Sequence, residues 1–322
     1  MRAIRQYEFG PPQRLRYERV DDPAPGPGQV RIAVAAAGVH FIDTAIRAGR
    51  RFGPPLPSLP MTPGREVAGL VESIGDGVDP AWLGVDVVAH LGMASGGYAE
   101  LAVADVAALH RRSGLDPSAA VAMVGTGRTT MGLLGLAALR PDDVVLVTSA
   151  AGGIGTLLVQ AARAVGATVI GVAGGAEKIR RVLLNGASIV ADYTGSGWYG
   201  AVREQLYGRR VSVVFDGVGG SVATSALRLL GDGGRMLTFG WSSGASMEYD
   251  ADEVAARGIK VVNALAAPMP PARELAAQAL AEATAGRWVP AVQAFPLASA
   301  AEAHQALEER RTSGKVVLLP AH

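Results

Sequence analysis

A chain of 322 residues exceeds one average domain, and with 49% apolar residues it can bury a large core. A formal net charge of +1 argues against a nucleic acid or an anionic membrane surface as the main partner. No run of about 20 apolar residues is present to span a bilayer. Cysteine is absent, which removes disulfides, thiol nucleophiles and thiolate metal ligands together and excludes a zinc–thiolate centre.

Residues 1–117 read as a β-rich unit. Alternating or apolar runs at 1–7, 30–39, 67–74, 85–91 and 98–103 are separated by Gly and Pro clusters, the pattern of a small barrel or sandwich. A short helix is predicted at 41–48. The first run alternates like a strand and lacks the apolar core of a signal peptide, so a cytoplasmic location is expected. Over 118–262 the rhythm changes to strand–helix alternation. Val144-Val145-Leu146-Val147-Thr148 is an apolar strand of the buried parallel type. Ile154, Leu157, Leu158, Ala161, Ala162 and Val165 then mark one helix face, closed by Gly166. Further strands are predicted at 168–172, 188–191, 211–215 and 235–239, which makes a doubly wound parallel sheet. The final segment, 263–322, carries a helix with a capping box, Ser299 with Glu302, and a strand at 315–319. Since the nucleotide-type sheet is complete near residue 263, this segment is expected to return to the first domain.

Ser149-Ala150-Ala151-Gly152-Gly153-Ile154-Gly155 follows a strand and opens a helix. In that setting glycines let the backbone approach a pyrophosphate, which the free helix N–H groups then hold. Ala151, Gly152, Gly153, Ile154 and Gly155 are the candidate phosphate site. An NAD site wants an acidic residue about 20 positions further on, for the ribose 2′-hydroxyl. Here Ala173-Gly174-Gly175 is followed by Lys178, Arg180 and Arg181, a small neutral tip beside cations that admits a 2′-phosphate. The cofactor this favours is NADPH. At other strand ends Tyr193, Val218 and the pair Phe239-Gly240 could line the same ligand, or could be turn residues.

Four segments together resemble the zinc-free quinone oxidoreductases of the medium-chain dehydrogenase/reductase superfamily. They are Ala36-Ala37-Gly38-Val39-His40-Phe41-Ile42-Asp43, Thr62-Pro63-Gly64-Arg65-Glu66-Val67-Ala68-Gly69, the glycine motif, and Gly314-Lys315-Val316-Val317-Leu318-Leu319-Pro320. The resemblance implies an α/β chain in which a GroES-like β-barrel catalytic domain, 1–117 completed by 263–322, holds an inserted Rossmann domain at 118–262. It also implies a homodimer and reduction of quinones or other conjugated carbonyls by direct hydride transfer from NADPH. Residues 152–155 would bind pyrophosphate and Lys178 the 2′-phosphate; Tyr193, Phe239 and Gly240 would line the cofactor, and Lys315 would lie near its nicotinamide half. The zinc-binding relatives carry a cysteine where this chain has His40, a ligand histidine at Arg65, and a four-cysteine lobe at residues 92–97, so no metal is expected. In the quinone branch position 40 is commonly asparagine, and a tyrosine near the nicotinamide is replaced by Arg51 beside Phe52.

Without zinc the substrate oxygen needs hydrogen-bond donors. His40 is the leading candidate, with Thr126 and Thr130 next. Phe52, Met61, Met93 and Trp241 could wall a pocket for a flat substrate, or could be core. Two other activities fit parts of the chain. An enoyl-thioester or other alkene reductase of the same fold shares the hydride chemistry, and a non-catalytic NADPH-binding protein shares the nucleotide site. Gly240-Trp241-Ser242-Ser243-Gly244 with Asp250 and His304 also fits a hydrolase pattern, but that pattern requires a helix to start at the serine, whereas 244–249 reads as a loop.

Overall fold

In the computed structural model residues 1–50, 55–92 and 95–321 are described. They divide into two compact units, Met1–Arg128 with Ala276–His322, and Thr129–Leu275. In the first, β1 (Arg2–Gln6) and β2 (Leu15–Arg19) form an antiparallel pair. The spine of its larger sheet is β3 (Gln29–Val39), whose alternation buries Val30, Ile32, Val34 and Ala36 completely. After α1 (Phe41–Arg47) come β4 (Glu66–Ile74), β5 (Asp86–His90), β6 (Leu101–Asp105) and β7 (Leu109–Arg111). β3 pairs antiparallel with both β4 and β6.

α2 (Pro117–Ala122) is opened by Asp116, whose side chain accepts from the N–H groups of Ser118 and Ala119. It runs into one buried π-helical segment, Met123–Gly127. Both pack on the sheet of the first unit, which draws residues 118–128 into that unit.

The second unit alternates as the apolar periodicity requires. In chain order it contains α3 (Arg128–Ala137), β8 (Val144–Val147), α4 (Gly153–Val165), β9 (Thr168–Ala173), α5 (Ala176–Leu184) and β10 (Ile189–Asp192). These are followed by α6 (Trp198–Gln205), β11 (Val211–Asp216), α7 (Gly220–Leu229), β12 (Leu230–Thr238), α8 (Ala251–Ala256) and β13 (Lys260–Asn263). All six strands are parallel, in the order β10-β9-β8-β11-β12-β13. Every residue of β8 is buried because helices cover both faces of such a sheet. On α4, Leu157, Leu158, Ala161 and Ala162 are buried, but Val165 is 39% exposed, so the apolar face ends a turn earlier than its spacing suggested. Gly166 caps the helix at φ +93°, a left-handed conformation that glycine adopts without strain.

α9 (Ala272–Thr284) leads back to β14 (Val292–Pro296), α10 (Ala300–Glu308) and β15 (Lys315–Leu319). β15 pairs antiparallel with β3, placing Val316 opposite Val39, and parallel with β14. The expected capping box on α10 does not form. A 3-10 turn, Leu297–Ser299, precedes the helix and holds Ser299 at φ −92°, ψ 21°, outside the extended conformation a capping side chain needs. Among the described residues no helix is long and apolar enough to cross a membrane.

Ile32 is fully buried at the centre of β3, so Ile32→Ala should lower unfolding stability by about 2–5 kcal/mol. Leu184→Ala, at a side chain 79% exposed, should change it by less than about 0.5 kcal/mol. Urea unfolding of both variants checks the pair.

Candidate active site

Because β3 pairs with both β4 and β15, the end of β3 and the starts of the other two strands meet at one place. The residues there are His40, Glu66 and Lys315. Glu66 is fully buried, with Oε1 2.6 Å from His40 Nε2 and Oε2 2.8 Å from Lys315 Nζ. The Lys315 side chain is 4% exposed and that of His40 23%. Burial pushes the Glu66 carboxyl up, but the adjacent His40 and Lys315 outweigh it and hold the group well below the usual carboxylate range. Two glycines make the room. A Cβ on Gly38 would lie 2.3 Å from Glu66 Oε2, and one on Gly125, in the π-helical segment, 1.5 Å from Oε1. π-helical turns of this kind recur at functional sites.

A second network adjoins the first through Asp43. Its Oδ2 accepts from the His40 backbone N–H at 2.8 Å and from the Tyr98 hydroxyl at 3.2 Å, while Oδ1 accepts from Arg65 Nη2 at 3.2 Å. The Tyr98 hydroxyl also lies 3.2 Å from His304 Nε2. Burial, reinforced by Asp43, raises the Tyr98 phenol well above its ordinary value. His304 is fully buried, edge-on to the Tyr98 ring, and burial pushes it down to about 4. Burial, with a contribution from Arg128, likewise pushes His90 down to about 4. A cavity of about 80 Å³ beside this network is lined by Asp43, Ile46, Met61 and Arg65 among others. Among the described residues no group of three or more His, Asp or Glu side chains could hold a metal ion.

In the second unit the glycine motif sits at the carboxyl end of β8, beside β11, where the strand order reverses and such sheets bind ligands. A Cβ on Gly155 would lie 2.4 Å from the Ser149 carbonyl oxygen, so only glycine lets α4 start this close to the strand. Gly152 is the extended residue before α4, and the helix's first N–H groups, which have no acceptor within the helix, are those that would hold an anion there. Gly174 ends β9 with the Tyr193 ring nearby, 3.5 Å from where its Cβ would lie. Lys178 is half-buried on the first turns of α5, whereas Arg181 pairs with Glu177 at 3.0 Å on the exposed face and Arg180 is exposed. At the end of β11, Thr148 donates to Asp216 Oδ1 at 2.6 Å and accepts from the Gly217 N–H at 3.0 Å. Val218 is buried, and the Phe239 ring lies 2.6 Å from where a Gly217 Cβ would be. These residues fit a dinucleotide: a phosphate cradle that a side chain would fill, and a neutral tip followed by a cation.

The other candidates are placed as follows. Thr126 belongs to the π-helical segment of the first unit, and Thr130 is fully buried in the second. Met61 is buried in the first unit, and Trp241 is 46% exposed in the second. Phe52, Met93 and Arg51 lie outside the described residues. Lys315, expected to lie near the nicotinamide, is directed onto Glu66 inside the first unit. The hydrolase pattern at 240–244 is followed by loop until α8 begins at Ala251, so the turn that pattern requires is not built. Glu66 was passed over in the sequence because an acidic residue at a strand start reads as solvated. The glycines at 38 and 125 were the available signal.

Residues 26–114 match the family described as alcohol dehydrogenase GroES-like domain, and residues 153–282 that described as zinc-binding dehydrogenase. A quinone oxidoreductase of Sus scrofa is 33% identical over 99% of this chain and 98% of its own, and one of Pseudomonas aeruginosa 34% identical over 97% of each. The chain belongs to the quinone oxidoreductase branch of the medium-chain dehydrogenase/reductase superfamily. An Escherichia coli quinone oxidoreductase solved with NADPH superposes with a TM-score of 0.86 at 30% identity, covering 99% of this chain and 100% of that one. The fold is thus a GroES-like domain with a Rossmann-type nucleotide domain, as in that branch.

His304 and His90 bind protons less readily when folded than at the ordinary histidine value near 6.5, so the unfolded chain takes up protons first as pH falls. Stability is therefore lost between pH 6.5 and 4. From pH 7 to 5 His304 should account for about 2 kcal/mol of that loss, and His304→Gln should remove this part of the slope. Unfolding curves at the two pH values decide it.

Proposed function

We propose that this chain is an NADPH-dependent reductase of quinones and related conjugated carbonyl compounds that works without zinc. The observation that carries the reading is at position 40. A chain with no cysteine places there a histidine held against a buried Glu66–Lys315 pair. When bound, NADPH supplies the hydride. The backbone at Ala151, Gly152, Gly153, Ile154 and Gly155 holds its pyrophosphate, and the neutral tip at Gly174 with Lys178 accepts the 2′-phosphate. Tyr193 lies at the adenine end, and Val218, Phe239 and Gly240 line the cofactor. His40 faces the substrate oxygen as it becomes negative, with Thr126 and Thr130 as further donors. Met61 and Trp241 contribute apolar wall. Its relatives' NADPH complex and quinone chemistry support this reading. Lys315, paired with Glu66, serves the nicotinamide half of the cofactor. The enzyme works as a cytoplasmic homodimer.

Following the nicotinamide absorbance on adding 1,4-benzoquinone tests the proposal. Oxidation should prefer NADPH to NADH and be unchanged by a chelator; no oxidation with any quinone or enone would overturn it. Lys178→Ala should raise KM for NADPH about tenfold and leave that for NADH nearly unchanged, the loss of one charge-assisted contact.

A further inference from the structure

We propose that Asp216, acting with Thr148, is a positioning residue for the nicotinamide half of NADPH. The inference rests on the cofactor site of the reductase reading above and concerns the second unit alone.

The carboxyl ends of β8 and β11 lie side by side, and Asp216 closes β11 with a side chain 1% exposed. Its hydrogen bonds come from uncharged donors. Oδ1 accepts from the Thr148 hydroxyl at 2.6 Å and from the Val218 N–H at 3.2 Å, and Oδ2 accepts from the Gly219 N–H at 3.0 Å. The Gly217 N–H goes to Thr148 Oγ1 at 3.0 Å. Two side chains thus hold three successive N–H groups of one turn. The carbonyls of that turn are engaged as well. Gly217 accepts from the Ser242 N–H at 3.2 Å, Val218 from the Ser243 N–H at 2.8 Å, and Gly219 from the Ala223 N–H at 3.2 Å. Gly219 sits at φ +74°, which glycine adopts without strain.

With its backbone polar groups engaged, this turn is a fixed support for the next one. Through Ser242 and Ser243, and through the Phe239 N–H on the Asp216 carbonyl oxygen at 2.8 Å, it sets the course of the chain leaving β12. The packing is as close as the bonding. A Cβ on Gly217 would lie 2.6 Å from the Phe239 ring, and one on Gly240 would lie 3.0 Å from the Gly217 carbonyl oxygen. In a sheet of this order the adenosine half of a dinucleotide lies over β9, and the other half lies across the switch point, over β11 and β12. Phe239 and Gly240 therefore face the nicotinamide half. Without the carboxylate, the N–H groups of Val218 and Gly219 are left buried and unpaired. The turn must shift to satisfy them, and the chain leaving β12 shifts with it. Asp143 supplies the contrast at the amino ends of the same strands. There it accepts from the Ser212 hydroxyl at 2.6 Å and the Arg140 N–H at 2.9 Å, and it pairs with Arg235 at 2.9 Å. Both acids tie β8 to β11, but only Asp216 stands at the edge where such sheets bind ligands.

The test compares two ligands on the full-length protein. NADPH is followed by its nicotinamide fluorescence, and adenosine 2′,5′-bisphosphate, which lacks the nicotinamide half, by calorimetry. Asp216→Asn and Thr148→Val should each weaken NADPH binding about tenfold and leave the bisphosphate within about twofold. Thr148→Ser, which keeps the hydroxyl, should bind NADPH like the unaltered protein. Asp143→Asn should lower the midpoint of thermal unfolding and leave both ligands bound as before. Equal weakening of the two ligands, or NADPH binding untouched by both variants, would overturn the proposal. So would a selective loss of NADPH in Asp143→Asn, since any break in the sheet would then have this effect. If Asp216→Asn fails to fold, Thr148→Val beside Thr148→Ser makes the same comparison. Absence of turnover with every quinone and enone would sink the reductase reading, while the two affinities still decide what Asp216 does.

Discussion

A carboxylate removed from water is the most demanding group in the first unit, and Glu66 is that group. An ion buried without partners costs several kcal/mol, so the surrounding structure must bring compensating charge into contact with it. Here that means joining the ends of three strands. A one-residue slip of β4 against β3 would turn Glu66 to the opposite face and leave Lys315 buried alone, so the ion cluster and the pleat specify the same register. Gly38 and Gly125 belong to the same requirement, since any side chain at either would displace the carboxylate. What looks like two separate glycine choices, one in a strand and one in a π-helical turn, is one cavity with a charge in it.

Asp43 extends that constraint to the helix beside it. By accepting from the His40 backbone N–H it fixes where β3 stops and α1 begins, and so where the imidazole hangs. Its remaining lone pairs take Tyr98 and Arg65, and Tyr98 in turn meets His304 on α10. The charge of Arg65 is thus balanced locally by Asp43. The two histidines with depressed proton affinity, His90 and His304, remain neutral neighbours of this network.

The fold was largely legible because its main elements announce themselves through periodicity. The alternation along 30–39 and the apolar run at 144–147 each permit only one kind of strand. Shorter elements gave no such signal. β2 buries Leu15 but leaves Tyr17 37% exposed, and β7 is three residues long, too short for a period to show. The nucleotide site was readable because all its parts lie within one strand–turn–helix segment and the next strand. The ion cluster was not, since His40, Glu66 and Lys315 come from three distant stretches, and charged residues in a sequence suggest solvent. The Ser299 capping box failed for a local reason, the tight turn that precedes it. The burial of His304 was not legible because the alanines around it make a helix face that looks neither clearly apolar nor clearly polar, and in fact packs inward.

The distance in sequence between β15 and its partner β3 bears on how the protein is made. The sheet that contains β3, β4 and β5 is synthesised early, yet the ammonium that neutralises Glu66 belongs to a strand made only after the whole of the second unit. Until then the nascent first unit holds an unbalanced acid at its centre and an open edge on β3 where β15 will pair. The nucleotide-binding unit, whose strands are contiguous, has no such debt to later residues. Biosynthetic order therefore favours completion of the second unit first, with the first unit closing only once β15 is made.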